Sequence, residues 1–216
     1  MYNISRNKDM WPLAELMLPL PILNVGFPKA GSTTLVHYLR CTGLKGSHLQ
    51  EGQMMFQNLA NNRSLFERKK KQSALLKPNG SDMHAYAQLD VDTGPGYFPQ
   101  ISLLDELHEV EPDSTFVLLS RPIADWIHST KHHIWHPYGS LLNRMYHFDV
   151  PGIPRTENQR ELFDFWQATG KKNEMIKLTN TQVAKWWCGH VLHIREYVKE
   201  YPSHSLIELD LYDTNG

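Results

Sequence analysis

The 216-residue chain carries almost no excess charge of either sign, its formal net charge being -1. No global basic field argues for nucleic acid as a partner, so any anion site has to be local. Cysteine is scarce. Cys41 and Cys188 are the two present, and neither lies in a Cys-x-x-Cys pair. A disulfide framework is therefore not expected, and each cysteine is expected to be a small buried apolar side chain. Long apolar runs are missing as well. The N-terminal stretch WPLAELMLPLPILNVGF is interrupted by Pro12, Glu15, Pro19 and Pro21. It reads as part of the fold rather than as a membrane span or a signal peptide. No internal repeat is present, and no Gly-, Pro- or Ser-rich linker divides the chain. A lead-in over residues 1–20 and one domain over 21–216 are expected.

The composition that remains, 41% hydrophobic and 21% charged, is ordinary for a soluble globular protein. Asn-x-Ser/Thr triplets at Asn3, Asn62 and Asn79 permit a secretory route without requiring one. A cytoplasmic and a Golgi-lumenal location both stay open.

Apolar runs alternate with helical patterns. Strands are expected at Pro21 to Phe27, Ala85 to Val91, Ser114 to Ser120 and Ser205 to Leu211. Helices are expected from about Ser32 to a stop at Gly43, over Ile101 to Val110, from about Ala124, over Glu157 to Ala168, and over Thr181 to Tyr201. Residues 137–156, with Pro137, Gly139, Pro151, Gly152 and Pro154, read as irregular. Lys69-Lys70-Lys71 reads as a solvated face. Strands that are continuously apolar rather than alternating argue for an α/β fold, with a central parallel sheet covered by helices on both faces. Ligands of such sheets bind beyond the carboxyl ends of the strands.

At one such end the chain reads GFPKAGSTTL, residues 26–35. A strand that leaves through Gly, Lys, Gly and three hydroxyl residues into a helix makes an anion cradle. Gly31 allows close backbone approach, the first-turn amides are unpaired, and the helix dipole favours negative charge. Lys29 adds a point charge, and Ser32, Thr33 and Thr34 add hydroxyl donors. A Walker A loop would need lysine directly after the second glycine. Ser32 stands there instead, and the lysine comes two residues earlier.

GFPKAGSTTL resembles the 5′-phosphosulfate loop of the sulfotransferases that use 3′-phosphoadenosine-5′-phosphosulfate (PAPS). The resemblance implies a three-layer α/β/α fold of the P-loop NTPase-like sulfotransferase type. It implies that Lys29 meets the bridging and leaving-group oxygens, and that Ala30, Gly31, Ser32, Thr33 and Thr34 line the 5′-phosphate site. It further implies a 3′-phosphate site made by an arginine at a strand end and a serine eight residues on. In STFVLLSRPIADWIHST, Arg121 and Ser129 have that spacing, and Trp126 fits a branch with tryptophan three residues before the serine. The chain departs from the usual Arg-Asp-Pro or Arg-Asn-Pro by having Arg121-Pro122 directly. Its late SLIELDLYD resembles the family's last strand, but family members usually continue further, which leaves two expectations open, a C-terminally truncated domain or a reduced binding site.

The family's carbohydrate branch implies a glutamate base after the first helix, where Glu51 stands with His48 nearby. The cytosolic small-molecule branch places a histidine near the second strand, where this chain has Asp90 and Asp92. The resemblance thus points closer to the carbohydrate branch, with Lys29, Glu51 and His48 as candidate catalytic residues. PAPS is the implied donor and 3′-phosphoadenosine 5′-phosphate (PAP) the product, with a small-molecule or glycan acceptor. No metal is implied. His128 and His132 are one turn apart but lack the glutamate of a His-Glu-x-x-His site. His132, His133 and His136 are candidates for the acceptor pocket, and Trp186-Trp187 reads as core. A P-loop kinase or phosphotransferase, and a non-catalytic nucleotide-binding relative, remain as alternatives.

Overall fold

The strand Thr115–Ser120 (β4) is the centre of the architecture. Five of its six residues are buried, with Phe116 and Leu118 in one apolar cluster and Val117 and Leu119 in another. Strand side chains alternate between faces, so a strand apolar at every position must be covered twice. The computed structural model describes residues 18–48, 83–90, 98–102, 104–135, 139–148 and 178–210.

Around β4 the described elements run in chain order as β1 (Ile22–Asn24), α1 (Ser32–Cys41), β2 (Gly46–Ser47), β3 (Ala85–Tyr86), α2 (Pro99–Ser102), α3 (Leu104–Val110), β4, α4 (Ile123–His132), β5 (Ile134–Trp135), β6 (Gly139–Ser140), α5 (Leu141–Phe148), α6 (Asn180–Glu200) and β7 (Ser205–Asp210). The main sheet has the order β2-β3-β1-β4-β7 and every pairing is parallel. β5 and β6 form a small antiparallel pair.

Helices cover both faces. Leu35, Val36 and Leu39 of α1, Trp126 and Ile127 of α4, Leu141, Leu142 and Met145 of α5, and Val183 and Trp187 of α6 join Ile22, Val117 and Leu119. Leu104 and Leu107 of α3, with Ile194 and Tyr197 of α6, join Leu23, Val25, Phe116 and Leu118. The three-layer α/β/α arrangement with a central parallel sheet is therefore as expected.

Local signals set the helix ends. Thr179 and Gln182 form a reciprocal capping box at the start of α6. Gly43, at φ 86, ends α1: its amide reaches the Arg40 carbonyl, while Leu44 N–H reaches the Leu39 carbonyl, the paired bonds of a Schellman stop.

Three expectations are corrected. The segment read as irregular over 137–156 contains α5, whose Leu141, Leu142 and Met145 are buried against the sheet; packing overrides the breakers on either side of it. The helix expected to begin at Ile101 starts earlier, at Pro99, a residue suited to a first helical turn. Cys41 and Cys188 are both exposed free thiols rather than core residues, because each lies on the outer face of an amphipathic helix. The helix expected over Glu157 to Ala168 lies outside the described residues.

Candidate active site at the β1/β4 switch point

β1 lies between β3 and β4. After β1 the chain crosses to β2 and β3 on one side; after β4 it crosses to β7 on the other. The crevice beyond the carboxyl ends of β1 and β4 is the topological switch point, where open parallel sheets bind ligands. GFPKAGSTTL leaves β1 at this place, and Arg121 directly follows β4.

The loop is held by its carbonyls. Trp126, fully buried, donates its indole Nε1–H to the Pro28 carbonyl at 2.9 Å. Arg121 donates from one terminal guanidinium nitrogen to the Lys29 carbonyl at 3.0 Å. His190, buried in α6, has Nε2 at 2.8 Å from the Val25 carbonyl. Burial pushes this imidazole down to about 4 from the usual 6.5. It is therefore neutral at pH 7, and Nε2 carries the donated proton. Asn24, buried in β1, receives the Gly26 N–H on its side-chain oxygen at 3.0 Å and donates to the Ala87 carbonyl at 2.7 Å. Phe27 anchors the middle of the loop among Trp126, Trp186, Trp187 and His190, with ring centroids 4.5–5.2 Å away.

The Gly26 amide is held by Asn24 and the Ala30 amide by the Phe27 carbonyl at 3.3 Å, so the amides a ligand can use are those of the first turn of α1, which a helix leaves without intrahelical partners. Lys29 at φ 67 and Gly31 at φ 125 flank Ala30, and this alternation of hand curls backbone N–H groups toward one side. Left-handed backbone costs a lysine about 1 kcal/mol, and such residues gather at ligand sites. Gly31 caps α1 with no side-chain hydrogen bond, and the first turn holds no acidic residue. The helix start is thus open to an anion. Lys29 is exposed beside it, and Arg121 is half-buried across it.

Behind α1 the hydroxyls meet the ends of β2 and β3. Ser32 Oγ lies 3.2 Å from His48 Nε2 and donates to Gln88 Oε1 at 3.2 Å; Thr33 Oγ1 lies 3.4 Å from the same His48 nitrogen. Gln88 Nε2 donates to Asp90 at 2.7 Å, and Gln100 donates to its other oxygen at 3.3 Å.

Lys29, Ala30, Gly31, Ser32, Thr33, Thr34, Arg121 and His48 are thus gathered at one crevice. Ser129 lies on α4, half-exposed, and no hydrogen bond joins its hydroxyl to the loop among the described residues. Glu51 and Asp92 lie outside the described residues, as does His136. Trp186 and Trp187 pack in the core around Phe27. His132 and His128 stack at 4.1 Å, and His132 Nδ1 lies 2.8 Å from the His128 carbonyl. Among the described residues no group of three or more His, Cys, Asp or Glu could hold a metal ion.

Four residues of this site escaped the sequence reading. Asn24 is the lone polar residue inside PILNVGF, and that isolation is its signal. His190 continues the buried stripe Val183, Trp187, Ile194, Tyr197 of α6, where an apolar residue belongs. Gln88 and Gln100 carry no such mark.

A family model described as Sulfotransferase domain matches residues 21–215. The chain belongs to the sulfotransferase family. The match takes in every described strand and helix of the domain and the whole crevice. No individual curated protein matches the chain. Membership makes sulfuryl transfer the reaction class, and the protein a transferase. No helix among the described residues is long and apolar enough to cross a membrane.

Proposed function

We propose that this sulfotransferase uses PAPS as its donor, and that the acceptor is a hydroxyl or amine on a carbohydrate or other hydroxylated metabolite. One observation carries the reading. Arg121, at the end of β4, grips the Lys29 carbonyl of the β1 loop, so two cations flank an uncapped helix start at the switch point. A nucleotide with phosphate groups at both ends of its ribose suits that pair.

The donor supplies the sulfuryl group: in-line attack forms the acceptor O–S bond and breaks the S–O bond to the 5′-phosphate, whose oxygen keeps the electron pair. Lys29 reaches that oxygen as its charge grows, which stabilises the leaving group. The amides of Gly31 to Thr34 hold the 5′-phosphate in place, and positioning supplies much of such a reaction's acceleration. Arg121, with Ser129 on α4, takes the 3′-phosphate. The acceptor's proton goes to a general base, for which Glu51 and His48 are the candidates. The exposed His132 and the half-buried His133 belong to the acceptor side in this reading.

The test is calorimetric titration with PAP of the wild type, Lys29→Ala and Arg121→Ala. Micromolar binding is expected for the wild type, weakened at least tenfold in each variant. A folded wild type that does not bind PAP overturns the proposal.

A further inference from the structure

The side chains behind α1 form a chain of hydrogen bonds with a direction. Asp90, 4% exposed, accepts from Gln88 and Gln100. A carboxylate is acceptor-only, so the Gln88 amide must turn its NH2 to Asp90 and its oxygen away. That oxygen, Oε1, lies 3.2 Å from Ser32 Oγ. A hydroxyl has a single proton, and facing a carbonyl oxygen Ser32 must give it to Gln88. The oxygen of Ser32 can then only accept from His48 Nε2, 3.2 Å away on the other side. The proton of the imidazole is thereby fixed on Nε2. Thr33 Oγ1, 3.4 Å from the same nitrogen, faces the same N–H.

We infer that His48 is a positioning residue of the anion site: held in its Nε2–H form by the chain Asp90–Gln88–Ser32, it donates to the Ser32 and Thr33 hydroxyl oxygens and so leaves the Thr33 proton for the anion. Two consequences follow for the phosphate cradle. Ser32 offers the anion its backbone amide, its hydroxyl proton being spent on Gln88. Thr33, whose oxygen meets the His48 N–H, keeps its own proton for the phosphate. Asp90 and Gln88 are positioning residues, acting through His48 and Ser32. This inference rests on the proposed PAPS reading of the crevice.

Two measurements test it. The first is nitrogen-15 NMR of protein labelled at histidine, which distinguishes the two neutral imidazole forms. The expected His48 signals, assigned by their loss in His48→Gln, are those of the Nε2–H form in the free protein. In Gln88→Met, which removes the acceptor for Ser32, the population of that form is expected to fall. Predominance of the Nδ1–H form in the wild type overturns the inference.

The second is PAP binding by calorimetry for His48→Ala and His48→Gln. A glutamine amide can place an N–H near the position of Nε2 but cannot act as a base. Binding is expected to weaken about tenfold in His48→Ala and to recover to within about threefold of wild type in His48→Gln, with circular dichroism unchanged. If wild type binds and His48→Ala binds equally well, the donor role is wrong and the PAPS reading stands. If wild type does not bind PAP at all, both fail together.

Discussion

Replacing Trp126 by phenylalanine tests how the loop is organised. Trp126 is 0% exposed, and its indole N–H holds the Pro28 carbonyl at 2.9 Å. Phenylalanine keeps most of the ring and removes the donor. A buried carbonyl left without its partner costs about 1–3 kcal/mol. Trimming the bicyclic ring leaves a cavity against Phe27 and Trp187, now 5.0 and 4.5 Å away between centroids, worth about 1–2 kcal/mol. The sum, about 2–5 kcal/mol, is a large share of the 5–15 kcal/mol that holds a typical domain. The variant is expected to fold, with a Tm lower by roughly 4–20 °C at about 2–4 °C per kcal/mol for this size. PAP binding should weaken about tenfold beyond any unfolding, because the Pro28 peptide is released beside Lys29. The control is Trp187→Phe, which loses packing around Phe27 without a hydrogen bond to the loop among the described residues. It should lose the packing share alone, about 1–2 kcal/mol, and keep its affinity. Thermal unfolding and calorimetry on the three proteins decide the matter. Equal affinity of Trp126→Phe and wild type would refute the idea that carbonyl clamps shape the cradle.

Other outcomes follow from the same geometry. The His190 imidazole titrates at about 4 in the fold and near 6.5 in the unfolded chain. The unfolded state therefore binds a proton first as pH falls, and stability drops progressively between about pH 6.5 and 4, by about 3 kcal/mol in all; urea denaturation of wild type against His190→Asn should show a shallower acid loss in the variant, and parallel curves would contradict this. Gly26→Ala should cost about 1–3 kcal/mol, since a Cβ there would meet the Leu119 backbone N and O at 3.0 and 3.2 Å and Asn24 Oδ1 at 3.2 Å; an unchanged denaturation midpoint would mean that β1 and β4 can part at no cost. Both thiols of the native protein should react with a water-soluble disulfide reagent at the rate of exposed cysteine, whereas slow reaction of either would return it to the core.

The parts of the fold legible in the sequence are those whose residues carry a local reason. Phe116 to Leu119 is apolar at every position, and only a doubly covered strand needs that. GFPKAGSTTL combines a positive-φ glycine, a lysine and hydroxyls at a strand-to-helix turn, a set with few other uses. Gly43 marks the end of α1 by backbone chemistry that depends on nothing distant; the Thr179–Gln182 box is of the same kind but was passed over, the helix being expected from Thr181. What stayed hidden depends on tertiary neighbours. β2 is two residues long and has no period to read. α5 sits among Pro137, Gly139 and Pro151, which speak against a helix, and exists because Leu141, Leu142 and Met145 find the sheet. Asn24 and His190 are explained only when the loop carbonyls and amides they hold are in view, 165 residues apart in the case of His190 and Val25. The spacing of Arg121 from Ser129 was visible, but the grip of Arg121 on Lys29 was not, because it joins two strands through the backbone.

The most direct test of the account is a crystal structure with PAP bound. The account predicts the 5′-phosphate against the amides of Gly31 to Thr34, with Lys29 over its outer oxygen, and the 3′-phosphate within hydrogen-bonding distance of Arg121. A nucleotide lying anywhere other than the crevice between β1 and β4, or one whose phosphates touch neither Lys29 nor Arg121, would contradict it.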